Sequence, residues 1–229
     1  PSTTQSPPPA STNRLIAAPT GPLGSPTSFS TTTPAAATSA VVTWSTERTV
    51  TLNDGLDPGE PGRVAEAVSD MGLAHAVVTA VARDDLSDGG ASAFVATVEA
   101  IRAANPGTAV EVLIPDCKGD PDALAAIFDI RPDVLNHNIE TVARLQRRVR
   151  PSAGYARSLS VLARAKAAGL TTKSSIIVGL GETDAEVDAC LADLASVGCD
   201  IVTIGQYLRP TTNHLPVERW VEPEVFGRW

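Results

Sequence analysis

Polar side chains that could do chemistry accompany five apolar, β-branched runs in the second part of the chain. Their carboxylates and amides could accept hydrogen bonds from hydroxyl and amino groups, and their cations could pair with a carboxylate. A polar group buried without a partner costs about 1–3 kcal/mol, so polar residues inside apolar strands need partners or a ligand. The groups are, in chain order, Arg83-Asp84-Asp85, Asp116, Asn136-His137-Asn138 with Glu140, Lys173 with residues 179–182, and residues 206–209.

Strand and helix patterns alternate from about residue 56 and would position these groups. The predicted strands are 76–81, 110–115, 134–138, 173–180 and 200–208, and the predicted helices are near 64–71, 94–101, 122–130, 141–149, 155–168 and 185–197. Five such repeats, about 30 residues apart, predict an α/β fold with parallel strands, a (β/α) barrel or part of one. The C-terminal strand ends of a barrel form one rim, and we expect the polar groups to converge there.

Composition excludes several classes of protein. The 229 residues are 43% hydrophobic but only 4% aromatic, with a formal net charge of −8. No stretch approaches the apolar length of a membrane span, and the acidic balance argues against nucleic acid held by bulk charge. Three scattered cysteines exclude a disulfide framework and favour a reducing compartment. We expect Cys117, Cys190 and Cys199 to be small buried residues and not metal ligands.

Residues 1–55 differ in composition from residues 56–229, which divides the chain into a low-complexity segment and a domain. Of the first 50 residues, 28 are Ser, Thr or Pro, too polar a mixture to offset chain entropy by burial. The chain does not begin with Met, so we expect a fragment, a processed form or a partial gene model. Three interpretations of the segment stay open: a disordered tail, an organelle transit peptide, or an out-of-frame translation.

Several motifs in the domain resemble those of the lipoyl synthase family. The resemblance covers about residues 56–226, and so many motifs in the same order make it specific. The matching runs are residues 78–91 (VTAVARDDLSDGGA), 111–116 (EVLIPD), 134–141 (VLNHNIET), 172–174 (TKS), 178–183 (VGLGET), 203–210 (TIGQYLRP), 214–217 (HLPV) and 222–224 (EPE).

The resemblance implies a radical S-adenosylmethionine enzyme built on a partial (β/α)6 TIM-like barrel. It implies insertion of two sulfurs at C6 and C8 of an octanoyl group on a lysine of a lipoyl carrier domain. It also implies S-adenosylmethionine and two [4Fe-4S] clusters as cofactors, one for reductive cleavage and an auxiliary one as sulfur donor. Partners would be the octanoylated carrier (2-oxoacid dehydrogenase E2 or glycine cleavage H protein) and ferredoxin or flavodoxin, without nucleic acid or membrane. The location would be the cytoplasm of a bacterium, or the mitochondrion or plastid of a eukaryote.

Four residues carry the expected cofactor and substrate contacts by resemblance: Asn138, Glu140, Lys173 and Arg209. Arg83, Asp84, Asp85 and His137 are further candidates for the same contacts. The alternatives are that the four form salt bridges between strands of the rim, that the Arg-Asp pairs cap a helix, and that His137 is a hydrogen-bonded core residue.

The chain departs from the family at the cluster ligands. The C-x3-C-x2-C motif should lie just before Leu56, where residues 43–55 contain no cysteine. The C-x4-C-x5-C motif and a C-terminal Arg-Ser-Ser motif are also absent from these 229 residues. We therefore expect no lipoyl synthase turnover from this polypeptide, and marginal stability because a sheet edge and apolar helix faces would be exposed.

Three hypotheses of function follow. The chain is a lipoyl synthase whose sequence is incomplete, its first segment being a misread form of the cluster-binding segment. Alternatively, it is a non-catalytic protein that binds S-adenosylmethionine or a lipoyl domain. The third hypothesis, a hydrolase or aldolase on a barrel, depends on Asp84, Asp116 and Lys173 alone.

Overall fold

The strands of the described residues form one seven-stranded sheet. The computed structural model describes residues 16–17, 39–43, 56–81 and 83–229. The strands are β1 (Ile16–Ala17), β2 (Ser39–Thr43), β3 (His75–Thr79), β4 (Ala109–Leu113), β5 (Val134–Asn136), β6 (Thr172–Val178) and β7 (Ile201–Gln206). They lie in the order β1-β7-β6-β5-β4-β3-β2.

The topology is that of a partial (β/α) barrel. Strands β2 to β7 are parallel to their neighbours and adjacent in chain order, whereas β1 pairs antiparallel with β7 at one edge. The helices are α1 (Glu60–Asp70), α2 (Ala91–Ala104), α3 (Pro121–Asp129), α4 (Gln146–Val149), α5 (Tyr155–Ala167), α6 (Asp184–Ser196) and α7 (Pro223–Phe226). The prediction of an α/β fold with parallel strands and intervening helices is confirmed.

Two strands come from the segment before residue 56, for which the sequence pattern predicts none. Strand β2 pairs in parallel with β3 over its whole length, from Ser39 opposite His75 to Thr43 opposite Thr79. It supplies a sixth parallel strand to the five that the sequence predicts. Its five residues are too few for a periodic pattern, although Val41 and Val42 are β-branched. The other predictions for residues 1–55 lie outside the described residues.

Local sequence determines where the helices begin. Asp120 caps α3 by accepting hydrogen bonds from two backbone N–H groups of the first turn. Thr183 and Glu186 form a reciprocal capping box at the start of α6. The helix predicted near 141–149 is shorter, because a 3-10 turn at Ala143–Leu145 precedes the single turn of α4.

Strand alternation separates two faces of the sheet. Along β6, Thr172, Ser174, Ile176 and Val178 are buried while the intervening residues are half-buried. Ile176 and Val178 pack with residues of α5 and α6, so the buried set faces the helices. The other set faces the inside of the barrel, and the pairing registers extend this inner face to β3, β4, β5 and β7.

The outer face of β7 is incompletely covered. A groove of about 160 Å³ lies between α6 and Trp229, lined mainly by apolar residues such as Leu191, Val202 and Ile204. Val81, Leu208 and Trp220 are large apolar residues exposed elsewhere. In the part of the chain that the structure describes, no helix has the length and apolar character needed to cross a bilayer.

Candidate active site

Glu111 is the centre of a polar cluster on the inner face. Its side chain, only 4% exposed, lies in the middle of β4. The Nζ of Lys173 donates to both carboxylate oxygens, at 2.8 and 3.1 Å, and the Nδ2 of Asn136 donates to one of them at 2.9 Å. The Nε2 of His75 lies 3.5 Å from the other oxygen. These four residues come from β3, β4, β5 and β6, so the cluster joins four adjacent strands.

Lys173 thus lies away from the C-terminal rim. It is the second residue of β6, and its neighbour in register is Asn136 of β5. The structure brings Lys173 together with Glu111 and not with the side chains of Asn138 or Glu140. The sequence analysis does not predict Glu111 as a site residue. A single carboxylate inside an apolar strand, here AVEVL, nevertheless indicates that this residue needs a partner.

Asn138 and Glu140 follow β5 on the same side as Asn136. Asn138 is half-buried, and its Oδ1 is buried without a hydrogen-bond partner among the described residues. The same is true of the Oδ1 of Asn136. Two residues apart in extended chain means about 7 Å along it, so the Oδ1 atoms of Asn136 and Asn138 form a row of acceptors. We call this row, together with Glu140, the inner wall of β5.

Glu140 has an unusual backbone conformation. Its φ of +69° lies in the left-handed region, which costs a non-glycine residue about 1–2 kcal/mol. Its N–H donates to the carbonyl of Ser175 and its carbonyl accepts from the N–H of Ile177, so it extends the pairing of β5 with β6. No described residue hydrogen-bonds to its half-buried carboxylate. Strained residues of this kind cluster at functional sites.

His137 faces the helices. Its Nδ1 lies 2.9 Å from the carbonyl oxygen of Ile114 and its Nε2 lies 3.0 Å from Oγ of Ser158 on α5. The ring is fully buried, and burial lowers the pKa of His137 to about 4. The geometry therefore favours the interpretation of His137 as a neutral, hydrogen-bonded core residue.

The residues after β3 form a local ion pair at the rim. Nε and Nη2 of Arg83 donate to the two carboxylate oxygens of Asp85 at 2.8 and 2.7 Å. This contact raises the pKa of Arg83 and lowers the pKa of Asp85. The carbonyl of Asp84 accepts from Nζ of Lys118 at 2.9 Å. The Arg83–Asp85 fork is exposed at the carboxylate, so a charged ligand could compete for the guanidinium.

Arg209 contacts its own loop. Its Nε donates to the carbonyl of His214 at 2.9 Å, and its Nη2 donates to the carbonyl of Thr212. The side chain is exposed, and no contact joins it to Asn138 or Glu140. Of the four principal predicted residues, only Asn138 and Glu140 are therefore neighbours in the structure.

The three cysteines do not fit an iron–sulfur cluster. Cys117 belongs to the core beneath α1 to α3, whereas Cys190 and Cys199 belong to the core between β6, β7 and α6. All three are buried free thiols, and burial raises the pKa of Cys117 to about 11, which opposes the thiolate that ligation requires. Among the described residues, no group of three or more His, Cys, Asp or Glu side chains is arranged to hold a metal ion.

The inner wall of β5 fits a ligand that presents hydrogen-bond donors. Asn136 and Asn138 offer amide oxygens that have no partner within the part of the chain that the structure describes, and Glu140 offers a carboxylate. Lys173, the cation on the inner face of the neighbouring strand β6, is already paired with Glu111. A ligand with hydroxyl or amino groups, such as a nucleoside, would satisfy these acceptors.

The chain matches one family model and several curated proteins. The family model described as "Radical SAM superfamily" matches residues 43–194. Curated lipoyl synthases from Beutenbergia cavernae and Mycobacterium avium are each 60% identical, over 74% and 75% of this chain and 51% and 56% of their own. The chain thus spans about half the length of these curated relatives.

Solved structures support the fold. HydG, a maturase of the [FeFe]-hydrogenase, aligns with a TM-score of 0.61 at 18% identity, over 79% of this chain and 42% of its own. SuiB from Streptococcus suis aligns with a TM-score of 0.57 at 8% identity, over 77% and 39%. At such identities the likeness concerns the fold alone.

Proposed function

Because the chain belongs to the Radical SAM superfamily, we propose that it is the barrel of a lipoyl synthase. That enzyme inserts two sulfurs at C6 and C8 of a protein-bound octanoyl-lysine to form lipoyl-lysine. The 60% identity to curated lipoyl synthases over 170 residues supports the proposal. The family implies S-adenosylmethionine and iron–sulfur clusters as cofactors. Two [4Fe-4S] clusters, an octanoylated lipoyl carrier domain, a ferredoxin or flavodoxin reductant and a bacterial cytoplasmic location complete the proposal.

The observation that supports a binding role is that, among the described residues, the buried Oδ1 of Asn138 has no hydrogen-bond partner, and Glu140, two residues further on, has a half-buried carboxylate to which none of them hydrogen-bonds. Asn138 would accept from, and donate to, the polar edge of S-adenosylmethionine, and Glu140 would accept from its ribose hydroxyls or amino group. When bound, S-adenosylmethionine supplies the deoxyadenosyl group of the family reaction. In this proposal Lys173 does not contact the ligand and instead neutralises Glu111. Arg209 stabilises the loop after β7 by donating to carbonyl groups of that loop.

The cysteine ligands of the family's iron–sulfur clusters are the part of the lipoyl synthase pattern that these residues lack. The resemblance places the family's C-x3-C-x2-C motif just before Leu56, and residues 43–55 contain no cysteine. The three cysteines elsewhere are buried in two separate cores. We therefore propose that these 229 residues bind the cofactor but do not convert octanoyl-lysine on their own.

Calorimetric titration of S-adenosylmethionine into the 229-residue protein tests the binding role. Saturable binding at one site is expected, and Asn138→Ala should weaken it about tenfold through loss of a buried hydrogen bond. The matched control is Asn213→Ala, since Asn213 is exposed in a loop and its substitution should leave the affinity unchanged. Absence of saturable binding, or equal effects of the two substitutions, would contradict the proposal.

A second candidate is a protein that binds S-adenosylmethionine or a lipoyl domain without any catalysis, favoured by the cysteine-free stretch after β2. Anaerobic reconstitution with iron and sulfide, followed by incubation with octanoylated carrier, tests this candidate. Cluster absorbance and a carrier mass increased by two sulfurs would exclude it. A colourless protein that binds the carrier without converting it agrees with both candidates, because neither expects catalysis from these 229 residues alone.

A further inference from the structure

Behind Asn138 runs a chain of hydrogen bonds that the binding site itself does not use. Nη1 of Arg150 donates to the backbone carbonyl of Asn138 at 2.8 Å and lies 3.4 Å from Oγ of Ser158. Ser158 in turn contacts Nε2 of His137, and the other nitrogen of His137 contacts the carbonyl of Ile114. We call Arg150, Ser158 and His137 the brace. It joins the ends of β4 and β5 to α5 and to the residue after α4.

The direction of each bond in the brace is fixed. The carbonyl of Ile114 can only accept, so Nδ1 of His137 carries a hydrogen. The pKa of this ring is lowered by burial to about 4, so at neutral pH its Nε2 is an acceptor and the hydroxyl of Ser158 donates to it. The oxygen of Ser158 is then free to accept from Arg150. His137 and Ser158 are both fully buried, which leaves no water to replace these partners.

The brace acts on a turn that needs support. The N–H of Ile139 donates to Oγ of Ser174, and Glu140 is held by backbone hydrogen bonds to Ser175 and Ile177 of β6. The carbonyl of Asn138 has Arg150 as its partner among the described residues. A residue with a left-handed φ such as Glu140 persists when its surroundings over-determine its conformation. Arg150 completes that set of contacts from the helix side.

We propose that Arg150 is a positioning residue, which holds the turn at residues 138–140 so that Asn138 and Glu140 present their acceptors to a nucleoside ligand before it arrives. Arginine suits the task because one planar guanidinium nitrogen reaches both the Asn138 carbonyl and the Ser158 hydroxyl. A fixed turn lowers the entropy that binding must otherwise cost. The ligand class rests on the proposed function, whereas the positioning of the turn does not.

The first experiment compares Arg150→Met, Arg150→Lys and Arg147→Met by titration with S-adenosylmethionine. Arg150→Met leaves a carbonyl without its donor and should weaken binding about tenfold, with partial recovery in Arg150→Lys. Arg147 is the matched control, an exposed arginine on α4, three residues before Arg150, for which the described residues supply no partner. Combining Arg150→Met with Asn138→Ala should give less than the sum of the two losses, because Arg150 acts through Asn138. Additive losses, or an equal effect of Arg147→Met, would overturn the proposal.

The second experiment needs no ligand and keeps the proposal separate from the proposed function. Amide hydrogen exchange is compared between parent and Arg150→Met for Ile139, Glu140 and Ile177, whose N–H groups frame the turn. Their exchange should become at least about tenfold faster, while amides in β3 and β4 keep their protection. Unchanged exchange at the turn would overturn the positioning role even if S-adenosylmethionine binds. If exchange at the turn becomes faster but the parent protein does not bind S-adenosylmethionine, the positioning role of Arg150 is supported and the proposed ligand is rejected.

Discussion

Replacing Lys173 by Met should destabilise the protein far more than an ordinary lysine substitution. Lys173 neutralises Glu111 through two short contacts in a site where the carboxylate is 4% exposed and the lysine 18% exposed. After the substitution, the carboxylate keeps two polar neighbours among the described residues, the amide of Asn136 at 2.9 Å and Nε2 of His75 at 3.5 Å. The folded state then contains a buried negative charge without its cation.

The cost can be bounded from the structure. Removing one member of a buried ion pair costs about 3–5 kcal/mol, and partial access of water to Lys173 together with the Asn136 contact places this case near 2–3 kcal/mol. For a protein of this size, that corresponds to a fall in melting temperature of about 5–10 °C. Glu111→Gln combined with Lys173→Met removes both charges and keeps an acceptor for Asn136. The double variant should recover at least about half of the loss, a coupling of 1 kcal/mol or more.

Urea unfolding followed by circular dichroism measures the free energy of unfolding of the parent, Lys173→Met, Glu111→Gln and the double variant, with equal slopes required for comparison. The matched control is Lys166→Met, because Lys166 pairs with Asp200 on the surface and is 40% exposed. Such a pair contributes about 1 kcal/mol or less. If Lys173→Met costs no more than Lys166→Met, or if the double variant is as unstable as the summed single variants, the interpretation of the cluster as a buried ion pair is refuted.

Three further predictions concern single positions. Gly179→Ala should cost more than about 3 kcal/mol, because Gly179 has a φ of +102° and an added Cβ would lie 2.6 Å from a backbone carbonyl, whereas Gly205→Ala meets nothing within 4 Å and should cost far less; thermal melts decide. The pKa of His137 falls from 6.5 to about 4 on folding, so the unfolded chain binds the extra proton between these values. Stability should therefore fall by about 3 kcal/mol as the pH is lowered through this window, and His137→Gln should remove that part of the slope; pH-independent stability differences between the two proteins would contradict it. Cys117 and the other two buried thiols should resist Ellman's reagent at pH 8 in the folded protein and react fully in urea, and rapid reaction of the folded protein would show that the described burial is wrong.

The order of strands and helices after residue 56 could be predicted because β-branched runs and helical spacing alternate regularly there. The exact residues at which these strands and helices end could not be predicted. The strand predicted to reach residue 180 ends at Val178, since Gly179 turns into the left-handed region to let residues 218 and 219 approach its carbonyl. Strand β2 was missed because five residues in a Ser/Thr/Pro-rich segment carry too little periodicity, and its place is determined by pairing with β3.

Side-chain partners were harder to predict than elements. Lys173 matches a motif of the family, but its partner Glu111 lies 62 residues earlier in the chain. No local pattern connects a lysine at the start of one strand with a glutamate in the middle of another. The register of β4, β5 and β6 brings them together, and register depends on the whole sheet.

The run Asn136-His137-Asn138 shows how one short segment contributes both to packing and to the binding site that we propose. Adjacent residues of a strand face opposite sides, so two asparagines and the histidine between them cannot share one site. His137 is turned to the helices, where Ile114 and Ser158 occupy both of its ring nitrogens. The asparagines face the inside, where each keeps a buried oxygen without a partner among the described residues. The buried face thus fixes the strand end through a polar contact to α5, and in our proposal the rigidity gained there lets the opposite face keep unsatisfied acceptors for a ligand.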